Sequence, residues 1–232
     1  MALVGALAIA VAASAVVTGQ TMTVVAQKTK QSKKTRGPVG SFAVDLATTY
    51  NGFGPRSTQA VLTFDPDYLF NAGKLPQCNA ASLTGKDAAG ARAACPKSIE
   101  GQGHATLTQS NGATLPAVVT AFNGVKSGGN LTILLHTDVQ GSSTKPILTG
   151  TLSGGHTLTV LVPLTPGIQI TDFQVTINQL VTQKKRVHGK VVKTFFISAK
   201  CSRGTWNHTE TTTYEGNVTQ THTASQKCKK TK

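Results

Sequence analysis

The sequence has few aromatic and few charged residues, and this shortage limits what the chain can build. Aromatic residues make up 5% of the 232 residues, and charged residues make up 14%. The core must therefore consist mainly of Val, Leu, Ile and Ala, and there are few Glu–Lys pairs to support exposed helices. Thr, Ser, Gly and Asn are abundant instead, which favours strands joined by turns.

Catalytic and nucleotide-binding signatures are also missing. The sequence contains no G-x-S-x-G elbow, no Walker A loop, no G-x-G-x-x-G after a strand and no H-E-x-x-H pair. It has no C-x-x-C pair and no short Cys–His spacing of the kind that binds zinc. We therefore assign no catalytic residue, no cofactor site and no metal site, and we favour a protein that is not an enzyme.

Acidic residues are scarce outside the middle of the chain, which gives a net charge of +14. Residues 28–36 carry five basic side chains, residues 37–183 carry seven basic and seven acidic ones, and residues 184–232 carry eleven basic and two acidic ones. The excess lies in two tails and one predicted loop, and we interpret it first as solvated, partly disordered ends. Contact with an anionic envelope polymer or glycan is the alternative. We expect no specific nucleic-acid partner.

The apolar run at residues 2–17 is short for a membrane span. Small residues follow it, and cleavage after Ala26 would define a signal peptide at 1–26, with Ala15 as the alternative site. No Lys or Arg precedes the run, so an uncleaved anchor is the competing interpretation and would be the only membrane contact. We expect a secreted or envelope-associated protein.

Four cysteines fit an exported chain, because oxidising compartments preserve disulfides. They allow three connectivities, but their spacing favours the two local pairs Cys78–Cys95 and Cys201–Cys228, which enclose 16 and 26 residues. Each bridge would stabilise the fold by about 3 kcal/mol in the loop-entropy model.

Period-two alternation and turn signals predict about eleven strands. Ser41–Tyr50 places Phe42, Val44 and Leu46 on one face, and Gly154-Gly155 marks the clearest hairpin. The predicted fold is an all-β antiparallel sandwich with one disulfide-closed loop, in which residues 79–83 form a short helical turn. The predicted organisation is a signal peptide or anchor at 1–26, a basic disordered linker at 27–40, one β domain at 41–226 whose only candidate boundary is 165–167, and a basic tail at 227–232.

The C-terminal hairpin allows a geometric prediction. A turn near Glu215-Gly216 pairs residues 205–214 with 218–225, so continuing the ladder outward brings Cys201 close to Cys228. Trp206, His208, Glu210, Thr212 and Tyr214 then share one face. We expect this face to be buried, because its two large aromatic side chains gain most from burial.

Five polar residues form the candidate site cluster: His208, Glu210, Asp65, Asp67 and Glu100. His208 and Glu210 could begin a metal site or an acid–base pair, although a polar patch is the simpler interpretation, and His222 is expected on the opposite face. The carboxylates of Asp65, Asp67 and Glu100 could serve a glycosidase or a calcium site. Asp65-Pro66-Asp67 is also an ordinary turn in which Asp side chains cap their own backbone.

One segment carries a family resemblance. Phe64-Asp65-Pro66, Leu75-Pro76-x-Cys78 and Cys95-Pro96-x-Ser98-x-x-Gly101-x-Gly103-x-Ala105 resemble a signature of uncharacterised secreted actinobacterial proteins. Cys201-x-x-Gly204-x-Trp206…Cys228 is similar to the end of those proteins. The resemblance implies export and a β-rich fold, and it implies no activity.

The prediction for function is an exported, disulfide-stabilised β protein that acts as a non-catalytic binding or structural module, with an unknown partner. An envelope polysaccharide hydrolase is the first alternative. A binder of an anionic polymer through the basic tails is the second.

Overall fold

The computed structural model describes residues 16–178, 182–187 and 190–231. These described residues form eighteen strands. In chain order these are β1 (Val16–Ala26), β2 (Lys30–Ser32), β3 (Gly37–Pro38), β4 (Phe42–Asn51), β5 (Ser57–Thr63), β6 (Tyr68–Phe70), β7 (Ile99–Gln109), β8 (Thr114–Ser127), β9 (Asn130–Val139), β10 (Ile147–Ser153), β11 (Thr157–Leu161), β12 (Ile168–Ile177), β13 (Thr182–Val187), β14 (Lys190–Phe195), β15 (Ile197–Ala199), β16 (Thr205–Tyr214), β17 (Thr219–Lys227) and β18 (Lys229–Thr231).

Eleven strands form one sheet in the order β1-β4-β12-β7-β8-β9-β10-β11-β5-β16-β17. Every neighbouring pair in this sheet is antiparallel, which confirms the predicted all-β antiparallel fold. The sheet curls so that its inner faces pack around one shared core, as the two layers of a sandwich do. Val24, Phe42, Val119, Leu158 and Trp206 come from five different strands and all belong to that core.

The first and last strands of the sheet meet without a backbone ladder. An odd number of strands, each antiparallel to its neighbour, makes β1 and β17 run in the same direction. The side chain of Gln226 bridges them by binding the backbone of Ala26. β2 follows β1 in the chain and β18 follows β17, and these two short strands form a parallel pair. The two remaining small sheets are β13-β14 and β3-β15-β6.

Helical structure is confined mostly to the cysteine segment. The predicted turn at 79–83 is a 3₁₀ helix at Ala80–Ser82, and the side chain of Asn79 accepts a hydrogen bond from the Ala81 N–H. An α-helix that the sequence patterns did not predict, α1 (Ala88–Ala94), follows, and Asp87 caps it by accepting from the Gly90 N–H. The Asp followed by an Ala-rich stretch was the available signal. Within the described ranges, no helix has the length and apolar composition that crossing a bilayer requires.

Gly103 lies near the start of β7, at a position where only a glycine fits against β12. Val175 on β12 is its direct partner, and a Cβ atom at Gly103 would overlap the carbonyl oxygen of Gln174. The two backbones therefore approach more closely than any side chain at this position would allow.

Both predicted disulfides are present. Cys78 is bonded to Cys95 and Cys201 to Cys228, with Cα atoms 5.7 and 6.0 Å apart. The first bridge joins the chain before the 3₁₀ helix to the end of α1. The second clamps the open end of the β16–β17 hairpin, as the register argument predicted.

The N-terminal region takes a different place from the one expected. Residues 1–15 lie outside the described part, but 16–26 form β1, which pairs along its length with β4. Residues 27–40, expected as a disordered linker, contain β2 and β3. Gln31 and Val39 are buried there, and the Gln31 amide donates hydrogen bonds to the carbonyls of Lys28 and Pro38.

Two further predicted boundaries lie within the described part. The candidate division at 165–167 is a loop between β11 and β12, and both strands belong to the same sheet. The predicted basic tail at 227–232 includes β18, which is paired with β2. The turn expected at 187–190 includes residues 188 and 189, which lie outside the described part.

Candidate functional site

The Asp65–Asp67 turn is built by its own side chains. It follows β5, and the Asp65 carboxylate accepts a 2.9 Å hydrogen bond from the Asp67 N–H. The Tyr68 N–H donates to the Asp65 carbonyl at 2.8 Å. The turn therefore has the self-capping form that the sequence indicated.

Asp65 also binds the segment that follows Cys201. Its carboxylate accepts hydrogen bonds from the Arg203 guanidinium at 2.7 Å and from the Asn207 N–H at 2.9 Å. The Asp65 side chain is 0% exposed, whereas that of Arg203 is 58% exposed. The Asp65 carboxylate is therefore buried and accepts from three donors. Its role is structural, because it does not face solvent.

Asp67 makes a second tie to the same segment. Its carboxylate accepts from the N–H and the hydroxyl of Ser202, at 2.7 and 2.8 Å, and lies 3.8 Å from the Lys200 ammonium. On the other side of the turn, Arg36 donates to the carbonyls of Pro66 and Asp67. The turn thus connects the N-terminal region to the chain around Cys201.

His208 lies in an aromatic cluster. Its ring centroid is 5.3 Å from that of Tyr68, 5.8 Å from Phe64 and 6.3 Å from Phe42. Its Nδ1 accepts a 3.4 Å hydrogen bond from the Asp65 N–H. Burial lowers the pKa of His208 to about 4, against a smaller opposing effect of Asp65, so the ring is neutral at neutral pH.

The buried face of β16 is confirmed. Trp206, His208, Glu210, Thr212 and Tyr214 are each at most 4% exposed. The indole N–H of Trp206 donates to the Lys200 carbonyl at 2.7 Å. This face belongs to the core, as its two aromatic residues indicated.

Glu210 sits in a polar chain at the inner surface of the sheet. The Thr212 hydroxyl donates to its carboxylate, and the Gln20 amide donates to the Thr212 hydroxyl at 2.9 Å. Burial raises the pKa of Glu210. The prediction that His222 lies on the opposite face is wrong, because the register pairs His222 directly with Glu210, and direct partners share a face.

Glu100 is the most isolated of the five candidates. It is 0% exposed, and neither carboxyl oxygen has a hydrogen-bond partner among the residues that the structure describes. Burial raises the pKa of Glu100 to about 9, so its carboxyl group is neutral at neutral pH. It forms no hydrogen bond with Asp65 or Asp67.

The structure therefore does not bring the predicted cluster together as a reactive site. None of the five candidates lines the cavity that Gln20 and Phe42 border or the one that Arg56 and Leu107 border. In the described ranges, no group of three His, Cys, Asp or Glu side chains could hold a metal ion.

The sequence did not predict two residues of interest. One lies on the inner surface of the curled sheet, and the other lies between its first and last strands. Gln20 lines the larger cavity, and Gln226 bridges β1 and β17. The alternation of Gln20, Met22, Val24 and Ala26 with exposed residues was visible as a strand pattern. It was assigned to a signal peptide instead.

Comparison with known proteins offers no further guide to the site. No protein-family model, curated protein or solved structure matches this chain.

Proposed function

We propose that this protein is an exported, disulfide-stabilised binding protein without catalytic activity, and that it attaches to a linear anionic polymer of the cell envelope. One observation carries the proposal: the parallel pairing of β2 with β18 joins the two basic segments of the chain into one surface. We call it the basic surface and define it by six lysines: Lys28, Lys30, Lys33, Lys34, Lys229 and Lys230.

The pairing holds the two segments together through backbone contacts. Lys229 lies opposite Lys30 in the register, and its N–H donates to the Thr29 carbonyl at 3.0 Å. The Cys201 N–H donates to the Ser32 carbonyl at 2.9 Å. Because Cys201 is also bonded to Cys228, the disulfide fixes both strands at the same point.

The charge of this surface is available to a ligand. All six lysines are exposed, and none of the ion pairs of the described residues involves them. Six ammonium groups within two adjoining segments create a strong positive potential. Lysines act as flexible point charges, so the surface suits a repeating phosphate or carboxylate polymer better than a single planar group.

The composition of the surface distinguishes its partner from single-stranded nucleic acid. Residues 27–36 and 227–231 contain no Phe, Tyr or Trp, and binding of unpaired bases depends on aromatic stacking platforms. The single Trp of the chain, Trp206, is fully buried. The partner therefore interacts through charge alone.

Three features support export. Two disulfides are compatible with an oxidising compartment, the N-terminal apolar run is typical of a leader, and the cysteine signature resembles secreted actinobacterial proteins. The place of β1 in the sheet favours cleavage after Ala15 over cleavage after Ala26, because the second cut would remove a strand that carries buried Met22 and Val24.

A polysaccharide hydrolase receives less support. Glycosidases need two carboxyl groups facing a shared cleft. The carboxylates of Asp65 and Asp67 accept hydrogen bonds from backbone and side-chain donors, and Glu100 is fully buried. None of the three can reach a sugar without unfolding.

The proposal is tested by binding of long-chain polyphosphate to the oxidised protein over a range of salt concentrations. We expect the triple substitution Lys34→Gln, Lys229→Gln and Lys230→Gln to weaken binding at least tenfold. The slope of log affinity against log salt should become shallower by about two, because three fewer phosphates are neutralised and each releases roughly 0.7 of a counterion.

The matched control is the triple substitution Lys86→Gln, Lys97→Gln and Lys126→Gln. It removes the same charge from exposed positions elsewhere. Equal loss of binding in both variants, or binding that does not depend on salt, would show that the basic surface is not the site.

A further inference from the structure

The curled sheet encloses a cavity of about 120 Å³. Its wall is almost entirely apolar, with inward side chains from β4, β5, β9, β10, β11 and β12. For comparison, an apolar cavity of about 150 Å³ accommodates benzene. The space therefore suits an apolar group of about six carbon atoms.

One end of the cavity is closed by aromatic rings. The ring centroids of Phe42 and Phe64 are 5.3 Å apart, those of Phe64 and Phe70 are 5.1 Å apart, and those of Phe42 and Phe70 are 6.1 Å apart. All three rings are at most 4% exposed. Tyr68, which is 1% exposed, packs against Phe42 at 5.3 Å and adds a fourth ring to this floor.

The opposite end is polar and reachable. Thr48 on β4 lies directly opposite Gln20 on β1, and the Gln20 amide donates to Thr212 at 2.9 Å. Ser57 completes the rim, and it pairs with Tyr214, whose hydroxyl lies 3.4 Å from that of Thr48. Thr48 and Ser57 are half-buried, so this end of the cavity is in partial contact with solvent.

Gln20 supplies an unused acceptor at the rim. It is 7% exposed, it lines the cavity, and its Oε1 accepts no hydrogen bond from any described residue. The hydroxyl of its neighbour Thr212 already donates a hydrogen bond to Glu210. A buried acceptor without a partner costs free energy, and a ligand that donates a hydrogen bond would recover it.

The rim also selects the charge of the ligand. No Lys, Arg or His among the described residues lines this cavity, so nothing there pairs with a carboxylate. An anionic group would also face the partially negative Oε1 of Gln20. A neutral hydroxyl is the donor that fits.

We propose that the cavity is a binding site for a small neutral alcohol, whose apolar group of about six carbons lies against the apolar side chains of the wall and whose hydroxyl donates to Gln20 Oε1. The site is separate from the basic surface. The basic surface follows the ends of β1 and β17 nearest the floor, at Ala26 and Lys227, whereas Gln20 and Thr48 lie further along β1 and β4, away from that end. The protein can therefore be attached at one end while the polar rim of its cavity lies away from the attached surface.

The test uses 1-hexanol, benzene and hexanoate as probes with the full, oxidised protein. Calorimetry and protein NMR measure the binding of each probe. We expect saturable binding of 1-hexanol and benzene and no saturable binding of hexanoate. Gln20→Met keeps the volume of the side chain but removes the acceptor, so it should weaken 1-hexanol binding about tenfold and leave benzene binding unchanged.

Ala60→Leu provides a second variant, because it fills the cavity from β5, opposite Thr212 on β16. It should abolish binding of both 1-hexanol and benzene. Thr63→Leu, at an exposed position of the same strand, is its control and should leave binding unchanged. Absence of saturable 1-hexanol binding, equal affinity for hexanoate, or 1-hexanol binding that survives Ala60→Leu would overturn the proposal.

Discussion

The side chain of Gln226 replaces a backbone partner for Ala26. Its Nε2 donates to the Ala26 carbonyl and its Oε1 accepts from the Ala26 N–H, both at 2.8 Å. This is the pattern that a neighbouring strand would provide. One amide therefore joins the two edge strands at the point where the chain leaves the sheet.

Gln226→Leu should lower the free energy of unfolding by about 1–3 kcal/mol, because both backbone groups of the buried Ala26 lose their partner. Chemical denaturation measures the change, and hydrogen exchange of the Ala26 amide should accelerate. Ser225→Ala, at an exposed position next to it, is the control and should change stability by less than about 0.5 kcal/mol. Unchanged exchange at Ala26 would contradict the role of Gln226.

Removal of the second disulfide should loosen the basic surface as well as the hairpin. Cys201→Ala with Cys228→Ala should lower the free energy of unfolding by roughly 3 kcal/mol, and amides of β18 should exchange faster. Polyphosphate binding should weaken at the same time. Cys78→Ala with Cys95→Ala should cost a similar amount of stability and leave polyphosphate binding intact, and equal effects of both pairs on binding would contradict this link.

Glu100 should make the protein less stable as pH rises. Its pKa is about 9 in the folded state against an ordinary value of 4.5, so between these values the folded state holds a proton that the unfolded state has lost. Stability from this group is complete below about pH 4.5 and is lost as pH rises towards 9, by up to about 1.4 kcal/mol per pH unit.

Denaturation of the wild type and Glu100→Gln across this range measures the effect. The variant should gain stability relative to the wild type with each unit of pH, since the amide does not titrate. Parallel curves for the two proteins would show that the Glu100 carboxyl is not held neutral.

Asp65→Asn should destabilise the fold by about 2–3 kcal/mol, because the uncharged amide loses the ion pair with Arg203 and turns one acceptor into a donor. The control is Asp45→Asn, which removes the same charge from a half-buried residue that forms no ion pair with described residues. Thermal unfolding compares the two. Equal stability of both variants would indicate that Asp65 is not a structural tie.

Secretion of the chain from a host should yield a mature protein that begins at Val16. Val16–Ala26 forms a complete strand of the sheet, so a product that begins at Gln27 would expose the edge of β4 and the core beneath it. Intact-mass analysis identifies the N terminus. A product that begins at Gln27 and still unfolds cooperatively would contradict the place of β1 in the fold.

Local patterns were enough for the hairpins and the disulfides. The buried face of Trp206 and Tyr214 follows from alternation along one strand, and the Cys201–Cys228 bridge follows from continuing the same ladder. These features depend on residues that are close in sequence, so their geometry is set by the period of the strand. The partners of Asp65 could not be found in this way, because Arg203 and Asn207 are more than 130 positions away.

The sequence by itself determined the strand-rich class, the short turns, the cystine pairs and the self-capping Asp65 turn, because each depends on local conformational preference. Only the tertiary structure decided that Val16–Ala26 belongs to the sheet, that the two basic segments form one surface, and that Gln20 faces an apolar cavity. These features arise where the curled sheet brings its first and last strands together, and strand order is set by packing of the whole core.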